Sequence, residues 1–335
     1  MKKIFLILIA FILLTAAKED RPAYRLYNAK GKSVGYNDLL KAAAESDIVF
    51  FGEIHNNPIC HWLELQLTED LFREKGQKLV LGAEMLERDN QLLLNEYLSG
   101  MIRKKDFEAE AKLWPNYKTD YAPLVDFAKE NGIKFVATNI PRRFAAIVNL
   151  KGLAGLDSIN AVERGMIAPL PLKYNPSLKC YREIAEMTGA GPMHNTENLA
   201  RAQAIKDATM AHFILKNRQE DQLFLHYNGS YHSESHEGLV WYATEYNKRT
   251  AVTLRILVIA SVEQDTISSL SPDNTGKGDF ILCIPSDMTK TQEPPASMPM
   301  MSPAPTSAIP RTRPAAPAPA DTAATEEEDS EAEED

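Results

Sequence analysis

The chain reads as an α/β protein: a mostly parallel sheet flanked by helices, with a helical subdomain and a disordered C-terminal tail. Three observations predict this. Short, nearly unbroken apolar runs recur at residues 48–51, 77–83, 133–137 and 222–226, the pattern of strands buried on both faces. Segments with helical spacing alternate with them through short connections, as in a parallel sheet covered by helices. After Pro285 the chain turns to Pro, Ala, Met and Ser and then to an acidic run, too poor in apolar residues to order itself.

Taken in order, Lys2 and Lys3 precede an apolar run over 4–14 and then Thr15-Ala16-Ala17, which predicts a signal peptide over 1–17. The run is shorter than the about 20 residues that span a bilayer, and no Cys follows it to accept a lipid. The expectation is an exported protein, periplasmic or associated with the cell envelope, without a lipid-anchor Cys. Residues 18–36 read as an N-terminal arm, and 37–285 as the main domain, starting with a short helix over 38–45. The strand at 48–51 leads into Gly52-Glu53-Ile54-His55. Asn57 and Pro58 then have the character of a helix cap and first turn, with Ile59, Leu63, Leu67 and Leu71 as the apolar stripe.

The strand at 77–83 ends in Glu84. Helical spacing covers 88–99 and continues, more charged, to Lys112. A turn at Trp114-Pro115 enters a helix that Asn131-Gly132 ends, and the strand at 133–137 leads to Arg142 and Arg143. Residues 151–192 read as an irregular helical insertion, 195–217 as a long helix, and 236–247 as another. Strands are predicted near 252–259 and 279–284, and the tail over 286–335.

Composition limits the function. The tail carries 11 acidic against three basic residues, a net of −8 out of −9 for the whole chain. The body is therefore close to neutral, and nucleic acid is not an expected partner. Cys60, Cys180 and Cys283 make no disulfide framework and read as buried free thiols. No Gly-x-Ser-x-Gly elbow and no Cys-x-x-Cys-His run occur.

The chemistry concentrates at strand ends. In extended backbone Glu53 and His55, two apart, point to one face, at the carboxyl ends of strands where open α/β sheets bind ligands. The Gly-x-x-His spacing of Gly52 to His55 recurs from Gly229 to His232, after the strand bearing His226. Two such strand ends predict one shared site. Glu53, His55, Glu84 and His232 are its candidate catalytic residues, and carboxylates with imidazoles suit either general acid–base work or a divalent metal, for which Glu53, His55 and His232 are the candidate ligands. His61, His194 and His212, on or near helices, read as packed or solvated residues. His232 and His236 are four apart, without the glutamate of a His-Glu-x-x-His helix.

Six blocks in order carry a family resemblance: FGEIH at 51–55, LGAEM at 81–85, the pattern from Trp114 to Lys129, ATNIPRR at 137–143, AQAIKDATMA at 202–211 and NGSYHSESHEGL at 228–239. The chain resembles the ChaN-like haem-binding uptake family of the Tiki superfamily over about residues 45–260. The resemblance implies an exported, iron-linked protein that binds haem at a homodimer interface through a tyrosine and hands it to an outer-membrane haem receptor. Tyr227, Tyr231 and Tyr242 flank the second Gly-x-x-His motif, with Tyr227 and Tyr231 the leading haem-binding candidates and Arg142 a partner for the propionates. The wider superfamily includes metal-dependent peptidases and esterases, so the resemblance also implies, as the alternative, a metal-dependent hydrolase using Glu53, His55, Glu84 and His232. Members are often lipoproteins. This chain departs from them in lacking the lipid-accepting Cys and in its acidic tail.

Overall fold

A computed structural model describes residues 21–187, 195–250 and 252–292. The signal-peptide assignment, His194 and the tail beyond Gln292 lie outside these residues. Eight strands form one sheet: β1 (Arg25–Asn28), β2 (Ser33–Val34), β3 (Ile48–Glu53), β4 (Leu79–Glu87), β5 (Lys134–Asn139), β6 (Leu223–Gly229), β7 (Ile256–Gln264) and β8 (Phe280–Pro285), in the spatial order β2-β1-β8-β7-β3-β6-β4-β5. From β8 to β5 every pairing is parallel. The expected mostly parallel sheet is present.

The helices are α1 (Tyr36–Ala44), α2 (Pro58–Lys75), α3 (Gln91–Leu98), α4 (Lys104–Glu110), α5 (Ala122–Asn131), α6 (Arg142–Lys151), α7 (Ala161–Arg164), α8 (Lys179–Glu186), α9 (Thr196–Asn217) and α10 (Leu239–Asn247). No helix among the described residues is long and apolar enough to cross a membrane.

Alternation along the strands sorts the core into two layers. Val49 and Phe51 of β3, Leu79 and Leu81 of β4, and Leu223, Leu225 and Tyr227 of β6 pack with α2 and α5. Ile48, Phe50, Val80 and Phe224 point the other way, to α6, α8, α9 and α10. Each fully buried side chain of this size contributes about 1.5–3 kcal/mol. A one-residue slip of β3 would send its polar end residues to the wrong layer.

Where the N-terminal arm was expected, Arg25–Asn28 instead pairs antiparallel with β8, burying Leu26 and Tyr27. A four-residue strand shows too little alternation to be read locally. The strand expected near 252–259 starts later, at Ile256, and runs to Gln264. Residues 286–292, expected in the tail, stay against the body: Thr291 N–H donates to the Asn56 carbonyl (2.9 Å), and the Asn56 amide donates to the Gln292 carbonyl (2.9 Å).

Gly52 shows why the site-bearing strand can be so deeply inserted. A Cβ there would lie 2.8 Å from the Ile259 carbonyl oxygen and 2.9 Å from Ser230 Cα, so only glycine lets β3 pass between β7 and the turn after β6.

Candidate functional site

β3 and β6 run in register with Glu53 beside Gly229, so both Gly-x-x-His segments leave the sheet at the same edge. The two glutamates face opposite layers. Glu53, in phase with Val49 and Phe51, points toward α2. Glu84, in phase with Val80, points toward α9. His55, which Glu53 holds, and Glu84 meet around Gly229, where a Cβ would lie 2.7 Å from His55 Nε2 and 3.6 Å from Glu84 Oε2. The structure brings all four residues to this edge of the sheet, with the Glu53–His55 pair on one side of Gly229 and the Glu84–His232 pair on the other.

On the α2 side, His55 Nδ1 lies 2.6 Å from Glu53 Oε1, which also accepts the Tyr121 hydroxyl at 2.7 Å. The His55 ring stands edge-on to Trp114, with centroids 4.8 Å apart, and its side chain is 43% exposed. Burial works to lower the His55 pKa, but the Glu53 hydrogen bond and charge, with the charge of Glu84, hold it above its ordinary value. For Glu53 burial works upward, and His61 and His55 outweigh it, holding the carboxyl well below the usual range.

On the α9 side, Glu84 Oε2 accepts the Gly229 N–H at 2.8 Å, and Oε1 lies 3.1 Å from His232 Nε2. His232 Nδ1 contacts Asp207 Oδ1, and Asp207 Oδ2 accepts the Tyr181 hydroxyl at 2.6 Å. Burial would lower His232, yet Glu84 and Asp207 raise it to about 10. The Glu84 carboxyl, despite burial, is held far below its ordinary value by His232, His55 and the Gly229 N–H. Burial leaves Asp207 above its ordinary value even beside His232.

A third group lies behind His55. His61 Nδ1 is 3.3 Å from Glu53 Oε2 and 3.2 Å from Glu64 Oε2, and His61 Nε2 is 3.2 Å from the His55 carbonyl and 3.3 Å from Asp120 Oδ2. The Asn116 amide ties the His55 carbonyl (2.8 Å) to Asp120 (2.6 Å). Asp120 and Tyr121 both turn inward because residues Tyr117–Tyr121 form one π-helical turn, an insertion found often at functional sites. Among the described residues, Glu53, His61 and Glu64 are the cluster whose ligand atoms converge closely enough for a metal ion.

Sequence reasoning gave His61 the bland assignment and passed over Glu64, Asp120, Tyr121 and Asp207. A readable signal existed for one pair: His61 and Glu64 are three apart on the same stripe as Cys60, Leu63 and Leu67, two ionisable groups on a face that must be buried.

The remaining expectations stand elsewhere. Tyr227 is fully buried in the α2 layer, with its hydroxyl 2.5 Å from Thr68 Oγ1. Tyr231 donates to the Cys180 carbonyl, and buried Tyr242 donates to the Lys173 carbonyl at 2.9 Å. None presents a free phenolate oxygen, so the tyrosine-ligated haem that the resemblance implied does not fit these residues as arranged. Arg142, 65% exposed, is paired with Glu87. As a metal ligand His232 would have to give up a carboxylate, since each ring nitrogen already faces one. Cys60, Cys180 and Cys283 are buried free thiols. His226 is buried against Thr138 and Asn228, and burial lowers it to about 4.

The class the fold defines is an α/β protein with a mostly parallel sheet covered by helices. The chain belongs to the family described as haem-binding uptake, Tiki superfamily, ChaN, whose model matches residues 39–243, more than half of its length. The structure is similar to that of ChaN of Campylobacter jejuni, solved with cofacial haem: TM-score 0.57, 14% identity, 77% of this chain and 96% of that one. At that identity the likeness speaks for the fold. The chain is also 24% identical over 221 residues to the Arabidopsis thaliana chloroplastic protein RETICULATA-RELATED 5, covering 59% of this chain but only 29% of that protein's length.

Proposed function

We propose that the working site is a hydrolytic acid–base centre for an ester or amide bond. The observation that carries this reading is the meeting of the Glu53–His55 and Glu84–His232 pairs around Gly229 with only His55 open to solvent. His55 Nδ1 is held by Glu53, which fixes the ring and leaves Nε2, free of any hydrogen bond, to take a proton from an attacking water and return it to the leaving group. Glu53 is then a positioning residue. Glu84 is a poor base, because both of its oxygens are already engaged. Its part is to hold a negative charge beside Nε2, which supports the imidazolium formed during the transfer.

Purified protein would be assayed with p-nitrophenyl acetate and a mixed fluorogenic peptide pool. Hydrolysis lost in His55→Ala, with unchanged melting, supports the reading. Hydrolysis equal in wild type and His55→Ala overturns it.

A second reading is an exported haem carrier for iron uptake, working as a homodimer and delivering to an outer-membrane receptor. Family membership favours it, as does a half-exposed imidazole beside Trp114, backed by a carboxylate as ligating histidines commonly are. Haemin titration separates the two: a Soret band weakened in His55→Ala supports the carrier, and an unshifted haemin spectrum removes it.

A further inference from the structure

We infer that Glu53, His61 and Glu64 form a binding site for one divalent transition-metal ion, buried behind His55. The ligand atoms of these three residues lie within 4.8 Å of one another, and all three side chains are buried. The spacing also suits an ion. His61 Nδ1 stands 3.3 Å from Glu53 Oε2 and 3.2 Å from Glu64 Oε2, yet a single Nδ1–H serves one oxygen well. Both separations exceed the about 2.7–2.9 Å of a charge-assisted N–H···O bond. They match the edge of a tetrahedron around an ion bonded at about 2.0–2.1 Å, which is about 3.3 Å.

Two independent details point the same way. Glu53 Oε2 and Glu64 Oε1 are buried carboxylate oxygens with no hydrogen-bond partner. Such oxygens are costly to leave unpaired, and a cation at the cluster would pair Glu53 Oε2, the one of the two that stands beside His61 Nδ1. The surroundings are also arranged as an outer shell orienting ligands. Glu53 Oε1 is taken by His55 Nδ1 (2.6 Å) and the Tyr121 hydroxyl (2.7 Å), which turns Oε2 toward His61. His61 Nε2 faces the His55 carbonyl (3.2 Å), with Asp120 Oδ2 at 3.3 Å, so that Nδ1 is the nitrogen directed at the cluster. One imidazole with two carboxylates suits Mn2+, Fe2+ or Zn2+.

The site differs from the Glu53, His55 and His232 set expected from sequence. His232 sits on the far side of Gly229, saturated by Glu84 and Asp207. An ion here would fix Glu53, and through it the His55 ring, without occupying the solvent-facing Nε2. The inference is separable from the hydrolytic reading, because ion content is counted whether or not any substrate is turned over.

The test is metal content of the full chain, stripped with chelator, incubated with Mn2+ or Zn2+ and desalted. The expected result is about one ion per chain in wild type and in His232→Asn, and at least a tenfold loss in Glu64→Gln and His61→Asn. Glu64→Asp, which keeps the charge but withdraws the oxygens, is expected to lose the ion as well, and serves where the glutamine variant fails to fold. Wild type that retains neither metal overturns the proposal whatever the variants do. So does an ion retained undiminished in the Glu64 variants or lost only in His232→Asn.

Discussion

Replacing Gly229 with alanine perturbs the candidate site by a single methyl group. The backbone there has φ −55° and ψ 136°, which any residue adopts, so the change brings no conformational strain. The added carbon would lie 2.7 Å from His55 Nε2 and 2.8 Å from Cε1, but at an ordinary 3.6 Å from Glu84 Oε2. Against a normal contact of about 3.5 Å, the ring has to withdraw by roughly 0.8 Å. Because the His55 side chain is 43% exposed, it has room to do so, and what it loses is its 2.6 Å bond to Glu53. That loss costs about 1.5–3 kcal/mol because the acceptor is a carboxylate, partly offset by about 0.4–1 kcal/mol from the lower chain entropy of alanine when unfolded. Melting should therefore fall by no more than about 10 °C. A displacement of this size at a reacting group costs on the order of 100-fold in rate. The assay is p-nitrophenyl acetate hydrolysis beside thermal melting. Full activity with unchanged melting would refute the role given to His55, and a fall in melting above 10 °C would refute the steric argument.

The Glu84–His232 pair sets a pH dependence. His232, raised from 6.5 to about 10, adds stability that is fully present below pH 6.5 and lost as the pH rises toward 10. Glu84, lowered from 4.5, adds stability that is present above pH 4.5 and lost as the pH falls toward its depressed value. In melts from pH 4 to 10, wild type should exceed the Glu84→Gln/His232→Asn double variant most between pH 4.5 and 6.5, and a gap that does not narrow toward pH 10 would contradict the assignment. Tyr227→Phe should lower stability by about 1 kcal/mol in urea, from loss of the hydrogen bond to Thr68, while leaving any haemin spectrum unchanged. A weakened Soret band in that variant would return Tyr227 to the haem site.

How far the site was legible depended on distance along the chain. Glu53 and His55 could be read together because they lie two apart at the strand's end, although β3 stops at Glu53 and the turn brings His55 back to it, and Asn57 and Pro58 capped α2 as their chemistry required, with Asn57 Oδ1 accepting the Ile59 N–H at 3.0 Å. The repeated Gly-x-x-His spacing identified the second strand end. Asp207 gave no such sign: it lies in α9, 25 residues from His232 in sequence, and only packing of α9 on the sheet brings them into contact. Asp120 and Tyr121 escaped for a different reason, since a π-helical turn breaks the 3.6-residue period from which a buried face is read.

Residue order alone determined the alternation of strands and helices and the two motifs at the sheet edge, because these follow from periodicity and local capping. Tertiary structure alone decided which groups became partners. It set Glu53 against His61 and Tyr121, Glu84 against His232 and Asp207, and turned Tyr227 into the core instead of toward a ligand. The physical reason is that ionic and hydrogen-bonding partnership requires approach to about 3 Å. Across tens or hundreds of residues that approach is governed by strand order and register, which the sequence pattern leaves open.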